Sequence, residues 1–254
     1  MIMRVRVMTW NVWWRFGPRW QARQPGILRT LREADADAVA LQEVWGTAET
    51  TQPDELAAQL GMHAGFAAPS YPPETDVPRA DDAALGIGIL SRWPILALRP
   101  EPMPARHRAF DPVALVATLD APQGALHVIV ACLEYDPAYN DDRLAQAGRI
   151  AELATDPALD GACPVVVAGD LNAPADSRVL RPLTDVLTDA WTAGGGDPAT
   201  TTAPPDAGPE LKDRRIDHVL YRPGRFAQQV TVAGATRADG PSDHRAIVVD
   251  LGWS

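Results

Sequence analysis

The sequence predicts one α/β domain over residues 1–254, with mixed rather than purely parallel sheets. Two observations lead there. Short apolar runs that read as strands outnumber segments with helical spacing, in both hairpin-like and crossover arrangements. No internal repeat or linker separates two compositions. A chain of 254 residues is long enough to bury its own core without a disulfide or metal staple.

Val5 to Trp10 reads as the first strand. Gln21 to Ala36 carries Ile27, Leu28 and Leu31 at the spacing of one helical face. Val39 to Gln42 is a short buried strand, and Pro53 to Leu60 a helix closed by Gly61. Phe66 to Ala84, rich in Pro and Asp, reads as an irregular surface segment. Gly86–Ser91, Val113–Leu119 and Leu126–Leu133 are strands. A helix over Asp142–Thr155 follows, with Leu144, Ile150 and Leu153 expected in the core. Val165 to Ala168 is a buried strand, with Pro164 at its start, where a missing donor is tolerated. Gly194 to Asp213 is a Gly/Pro/Thr-rich loop. Ile216–Tyr221, Gln229–Ala233 and Ala246–Leu251 close the chain as strands.

Hydrophobic residues are 46% and charged residues 22%, ordinary for a globular protein. The formal charge is −10 and Lys212 is the only lysine, which argues against a general nucleic-acid coat protein. No apolar run reaches the ~18 residues of a membrane span. The apolar stretch within Met1–Trp10 is too short for a signal peptide, so the cytoplasm is the expected location. Cys132 and Cys163 form neither a metal-ligand spacing nor a disulfide framework.

Four segments share one pattern, an apolar strand ending in polar, metal-capable residues. They are Thr9-Trp10-Asn11, Leu41-Gln42-Glu43, Ala168-Gly169-Asp170-Leu171-Asn172 and Ser242-Asp243-His244. A fifth, Arg215-Ile216-Asp217-His218, begins a strand instead. Such residues converge when the strands lie side by side. Asn11, Glu43 and Asp243 offer oxygen ligands to a hard cation such as Mg²⁺ or Mn²⁺. Asp217 is placed to orient His244, Asp170 to align water and Asn172 to hold a phosphate oxygen, as phosphoryl transfer requires. Taken singly, Asp170 to Pro174 reads equally as a cap or turn, and Glu43 as a helix cap. The combination, in this order, favours function.

With Val12, Val44 and Gly88-Ile89-Leu90-Ser91-Arg92 added, these segments resemble the endonuclease/exonuclease/phosphatase superfamily of metal-dependent phosphohydrolases, from residue 9 to residue 244. The resemblance implies a DNase I-like four-layer α/β sandwich, two mixed sheets face to face with helices outside and a site at one end. It implies that Asn11, Glu43 and Asp243 bind the metal and that Asp170 positions or deprotonates water. Asn172 would contact phosphate, and His244, oriented by Asp217, would act as acid–base or transition-state stabiliser.

The chain departs from the family at Ala131-Cys132-Leu133, where Thr-His-Leu is usual. Cys132 thereby replaces a phosphate-contacting histidine, and a neutral thiol is a weak donor without positive charge. Nearby Glu134, Asp136, Asp141 and Asp142 oppose a reactive thiolate. In the family both cysteine-bearing strands run toward the site. Cys132 and Cys163 then sit at opposite ends, roughly 20 Å apart at ~3.3 Å per residue, beyond disulfide reach.

Four of the eight tryptophans, Trp13, Trp14, Trp20 and Trp45, cluster near the first two motifs. The loop after Asn11 is therefore expected to supply substrate contacts from some of Trp13, Trp14, Arg15, Arg19 and Trp20. Arg106, His107 and Arg108 read either as a phosphate-steering cluster or as a solvated turn. The expected function is metal-dependent hydrolysis of a phosphodiester or phosphomonoester, with a phosphorylated small molecule as substrate. A nuclease acting on DNA or RNA stays open, and the third reading is a non-catalytic phosphate-ligand-binding descendant. No nucleophile sits in a Gly-x-Ser-x-Gly turn, which excludes a serine hydrolase of that type.

Overall fold

The computed structural model describes residues 3–17, 19–71, 83–209, 211–225 and 229–254. Two six-stranded mixed sheets stack face to face with helices outside. In chain order the elements begin with β1 (Met3–Asn11), α1 (Gln24–Ala34), β2 (Ala38–Gly46), α2 (Gln52–Leu60), β3 (His63–Ala67), β4 (Ala84–Ser91) and β5 (Ile95–Pro102). They continue with β6 (Val113–Ala121), β7 (Gly124–Cys132), α3 (Asn140–Ala154), β8 (Val165–Asp170) and the short α4 (Arg181–Thr184). The last are β9 (Thr188–Asp189), α5 (Ala190–Ala193), β10 (Asp217–Arg222), β11 (Val230–Ala238) and β12 (Ala246–Trp253). One sheet has the order β11-β12-β1-β2-β4-β3, the other β5-β6-β7-β8-β10-β9.

Strand alternation explains the layers. Val5 and Val7 of β1, Val128 and Val130 of β7, and Val166 and Ala168 of β8 meet in the core between the sheets. Met8 and Trp10 point the other way, onto Ile27, Leu31 and Leu56 of α1 and α2. Ile129 and Val167 likewise face Ile150 and Leu153 of α3. With a period of two, the inward phase of these strands ends on Asn11, Cys132 and Asp170, while Asp217 begins the inward phase of β10. All four reach the same end of the sandwich. In the register, Cys132 stands opposite Asp170 on β7, and Asp217 opposite Asp170 on β10.

Three local expectations need correction. Leu144 is 44% exposed, because α3 turns Asp142, Arg143 and Gln146 inward. Their polar groups bind backbone: Asp142 accepts Arg106 N–H and His107 N–H, Arg143 donates to the Glu134 carbonyl, and Gln146 accepts Glu134 N–H. The segment read as irregular surface starts inside β3 and brings Ala67, Ser70 and Tyr71 into the interior, while residues 72–82 lie outside the described residues. The strand ending at Gln42 runs on to Gly46 through a bulge at Glu43.

Candidate active site

The bulge is what brings Glu43 to the site. Alternation alone would turn it away from the side occupied by Gln42, whose amide oxygen accepts the Thr9 hydroxyl. The register shifts between Gln42 and Val44, and Glu43 adopts φ 53°. Bulges re-aim a side chain in this way, and left-handed non-glycine residues concentrate at functional sites. Asn172, at φ 50°, and Trp13, at φ 61°, are further such residues in the cavity lining. The Asn172 N–H donates to Asp170 Oδ1 at 3.0 Å and its amide to the Leu133 carbonyl at 2.9 Å. Gly169 has its own reason: a Cβ there would lie 2.0 Å from the Ala131 carbonyl oxygen.

His244 sits between carboxylates. Its Nδ1–H donates to Asp217 Oδ2 at 3.0 Å, and Nε2 lies 3.7 Å from Asp170 Oδ2. Burial alone would push the imidazolium down, but Asp217, Asp170 and Asp243 raise its pKa to about 10. The ring is therefore charged at neutral pH, with a second N–H facing the cavity. Asp170 is raised to about 6 by burial and Asp217, against the pull of His244 and the Asn11 amide. Glu43 is raised to about 8 by burial and by Asp243, and burial also raises Asp243.

Glu43, Asp170 and Asp243 open to one cavity of about 320 Å³, where His244 is the one side chain able to carry positive charge among the described lining residues. Asp217 Oδ1 has no hydrogen-bond partner. This donor set suits a divalent cation with oxygen preference. Atoms of Asp170, Asp217 and His244 also approach within 4.8 Å of one another, but His244 is already committed to Asp217. Glu43 and Asp243 line the same cavity and keep their carboxylates clear of that pair. The Asn11 amide nitrogen donates to Glu43 Oε1 at 2.8 Å and Asp170 Oδ2 at 3.1 Å, while its oxygen takes the Trp13 N–H. It cross-links the two carboxylates, and its oxygen keeps a second lone pair.

The substrate contacts expected around Asn11 divide. Trp13 and Phe16 line the cavity, as does Cys132. Trp14 does not: it is buried beside Trp45, Ala83 and Leu85, with its indole N–H on the Ala84 carbonyl. Arg19 is exposed and also lies off the cavity wall. The Cys132 thiol is pushed well up by burial and by Asp170, so it is no nucleophile, and both cysteines are free and buried. Arg106-His107-Arg108 is not a free cationic cluster. Arg108 pairs with buried Glu134 at 2.6 Å, and His107 pairs with Asp141 and stacks on Tyr139.

Sequence reading missed three supports. The Arg23 guanidinium collects the carbonyls of Val12, Trp13, Trp14, Phe16 and Pro241, tying the loop after β1 to the segment before Asp243. The Thr202 hydroxyl accepts the N–H groups of Ile216 and Asp217 at 2.9 and 3.0 Å, fixing the start of β10. His218 donates from Nε2 to the Ala173 carbonyl at 2.8 Å, so its Nδ1 accepts from Arg215 at 2.6 Å. No sequence pattern marks the first two, whereas His218 stands inside a motif already recognised.

Protonating His218 would set its ring against Arg215, and burial together with Arg215 lowers its pKa from 6.5 to about 4. The unfolded chain then binds a proton that the folded one refuses. Stability from this group is complete above pH 6.5 and is lost as pH falls toward 4. His218→Gln keeps one donor and one acceptor without the titration. Urea unfolding at pH 7.5 and 4.5 should show a smaller acid loss in the variant, by about 1–3 kcal/mol. Equal losses would refute this role.

A sequence profile of the Endonuclease/Exonuclease/phosphatase family matches residues 8–244. No curated protein matches the chain. Among solved structures, an endonuclease/exonuclease/phosphatase from Beutenbergia cavernae is 23% identical, with a TM-score of 0.78, over 99% of this chain and 72% of that one. The human Nocturnin catalytic domain, with bound sulfate, is 20% identical with a TM-score of 0.77, over 100% and 97% of the two chains. Truncated Caenorhabditis elegans TDP2 is 18% identical with a TM-score of 0.73, over 98% and 97%. These similarities establish the DNase I-like fold expected from the motifs. With the profile spanning nearly the whole chain, the protein belongs to the Endonuclease/Exonuclease/phosphatase family, whose members are generally hydrolytic phosphoesterases.

Proposed function

We propose that residues 1–254 work as one domain, a divalent-metal-dependent hydrolase of phosphodiester or phosphomonoester bonds. The observation that carries this is the His244 ring, held by Asp217 at 3.0 Å and facing Asp170 in the cavity that Glu43 and Asp243 also line. Mg²⁺ or Mn²⁺ held by Glu43 and Asp243 would supply charge neutralisation at the phosphoryl group. Asp170, near neutrality in pKa, accepts a proton from the attacking water as its oxygen bonds to phosphorus. His244 Nε2–H donates to a phosphoryl oxygen as negative charge builds there. Asn172 holds the Asp170 carboxylate in line through its N–H. The ester bond then breaks, and the departing oxygen takes a proton from solvent.

A small phosphorylated substrate is favoured over a nucleic acid, since the cavity lining includes no lysine or arginine among the described residues. Among the described residues no helix is long and apolar enough to cross a membrane. The test is hydrolysis of a generic phosphodiester with Mg²⁺, Mn²⁺ or EDTA. Turnover should require metal, and His244→Ala should lose about 10²–10⁴-fold in kcat. Metal-independent turnover, or an active His244→Ala protein, would overturn the reading.

A further inference from the structure

The cavity lining combines carboxylates with aromatic and aliphatic side chains. Glu43, Asp170 and Asp243 supply the carboxylates, and His244 is the one described lining residue able to carry positive charge. Two further guanidinium groups stand outside the lining. Arg23 is bound to main-chain carbonyls while its charge bears on Asp243 and Glu43, and Arg108 is held by Glu134 in a bidentate pair. At Cys132 the lining is a thiol, which carries no positive charge in any protonation state. A phosphoryl group entering here meets one cationic side chain and the bound metal, set against three carboxylates. Among the described lining residues the second charge of a phosphomonoester dianion finds no further cationic side chain, and neither do the flanking phosphates of a nucleic acid.

The walls give the complementary half. Trp13 and Phe16 stand on the Asn11 side, and Tyr71 and Tyr135 on the Cys132 side. Tyr71 and Tyr135 meet edge-on, with ring centroids 6.3 Å apart. Arg108 lies over the Tyr135 ring at 4.9 Å and fixes it. Pro204, Ala207 and Leu211 close a third side from the loop before β10. Such walls gain from covering a flat apolar group and cost a hydrated polar one its water.

We infer that the site selects small phosphodiester monoanions bearing a flat aromatic or apolar ester group, and rejects phosphomonoester dianions and nucleic-acid chains. This rests on the hydrolase reading above and narrows its substrate class. Arg108, which touches none of the reacting groups, is a positioning residue for the Tyr135 wall.

The test uses the full chain with saturating Mn²⁺ and four substrates: bis(p-nitrophenyl) phosphate, methyl p-nitrophenyl phosphate, p-nitrophenyl phosphate and a DNA oligonucleotide. The first three share one leaving group. Expected kcat/KM falls in the order given, with the monoester and the oligonucleotide at least tenfold below the bis-aryl ester. Comparison with variants cancels the intrinsic reactivities of the esters. Phe16→Ala and Tyr135→Ala should each lower the bis-aryl to methyl ratio about three- to tenfold, chiefly through KM. Arg108→Met should lower it similarly and Arg108→Lys less. Ala207→Lys, which adds a cation to the third wall, should raise the monoester relative to the methyl diester. A monoester or oligonucleotide cleaved as fast as the bis-aryl ester overturns the inference and leaves the hydrolase reading standing. So does an aryl-to-methyl ratio unmoved by both Phe16→Ala and Tyr135→Ala. Absence of metal-dependent turnover on all four substrates overturns both.

Discussion

Asp217→Asn is expected to lower kcat by about 10²–10⁴-fold, with little change in KM and no loss of fold. Asp217 touches no reacting atom; its carboxylate holds His244 through the 3.0 Å bond to Nδ1. Asparagine keeps the shape and the backbone bonds to Thr202, but removes the first of the carboxylates that lift the His244 pKa to about 10. Two consequences follow. The imidazolium loses charge at a lower pH, so the alkaline limb of the rate profile moves down. The amide can also present N–H to Nδ1, turning the ring to the tautomer that lacks a donor at Nε2. A residue with a merely structural role would lower the melting temperature and leave the alkaline limb in place. The pH profile of kcat, measured beside thermal unfolding, separates the two. A profile of unchanged shape would remove Asp217 from the mechanism.

The same residues show why the site was legible in sequence while much around it was not. Asn11, Asp170 and Asp217 stand at the ends of strongly apolar strands, where alternation fixes the face and the shared register fixes the neighbourhood. Only chain order was needed to see them as a set. Glu43 is found by motif although the expected strand stops at Gln42, four residues short of Gly46, because a bulge with left-handed backbone breaks alternation. The missing strand β5 carries Pro100, Pro102, Arg99 and Glu101 on a sheet edge, where prolines are tolerated and periodicity fades. Trp13 and Trp14 are adjacent and both left-handed. Neither strand nor helix period says which of the two faces the cavity: Trp14 is the buried one and Trp13 lines the wall. Arg23 and Arg108 escape for another reason. Their partners are backbone carbonyls and an interior glutamate brought together only by the finished fold.

Glu43→Gln should make the metal-free protein more stable while abolishing its response to metal. Glu43 lies against Asp243 and Asp170 in the folded state, and its pKa is about 8 instead of 4.5. Below pH 4.5 the group is protonated in both states and costs nothing. As pH rises toward 8 the unfolded chain ionises freely, whereas the folded one must either hold the proton or accept the repulsion. Metal-free stability is therefore lost across that window, and glutamine removes the loss while still accepting the Asn11 amide through its oxygen. Water in the open cavity screens part of the repulsion, which sets the gain at about 1–3 kcal/mol above pH 8, or roughly 2–10 °C in melting temperature for a chain this size. Adding Mg²⁺ or Mn²⁺ should reverse the ranking. A cation bound to the folded wild type alone raises its melting temperature by mass action, and the variant, lacking one of the two proposed ligand carboxylates, should gain little and lose about 10³-fold in kcat. Thermal unfolding of both proteins at pH 5 and 8.5, stripped with EDTA and then titrated with metal, reads every part of this. Equal melting temperatures at pH 8.5 would mean that Glu43 is not held against uncompensated charge. An undiminished metal response in the variant would move the cation to Asp170 and Asp243 instead.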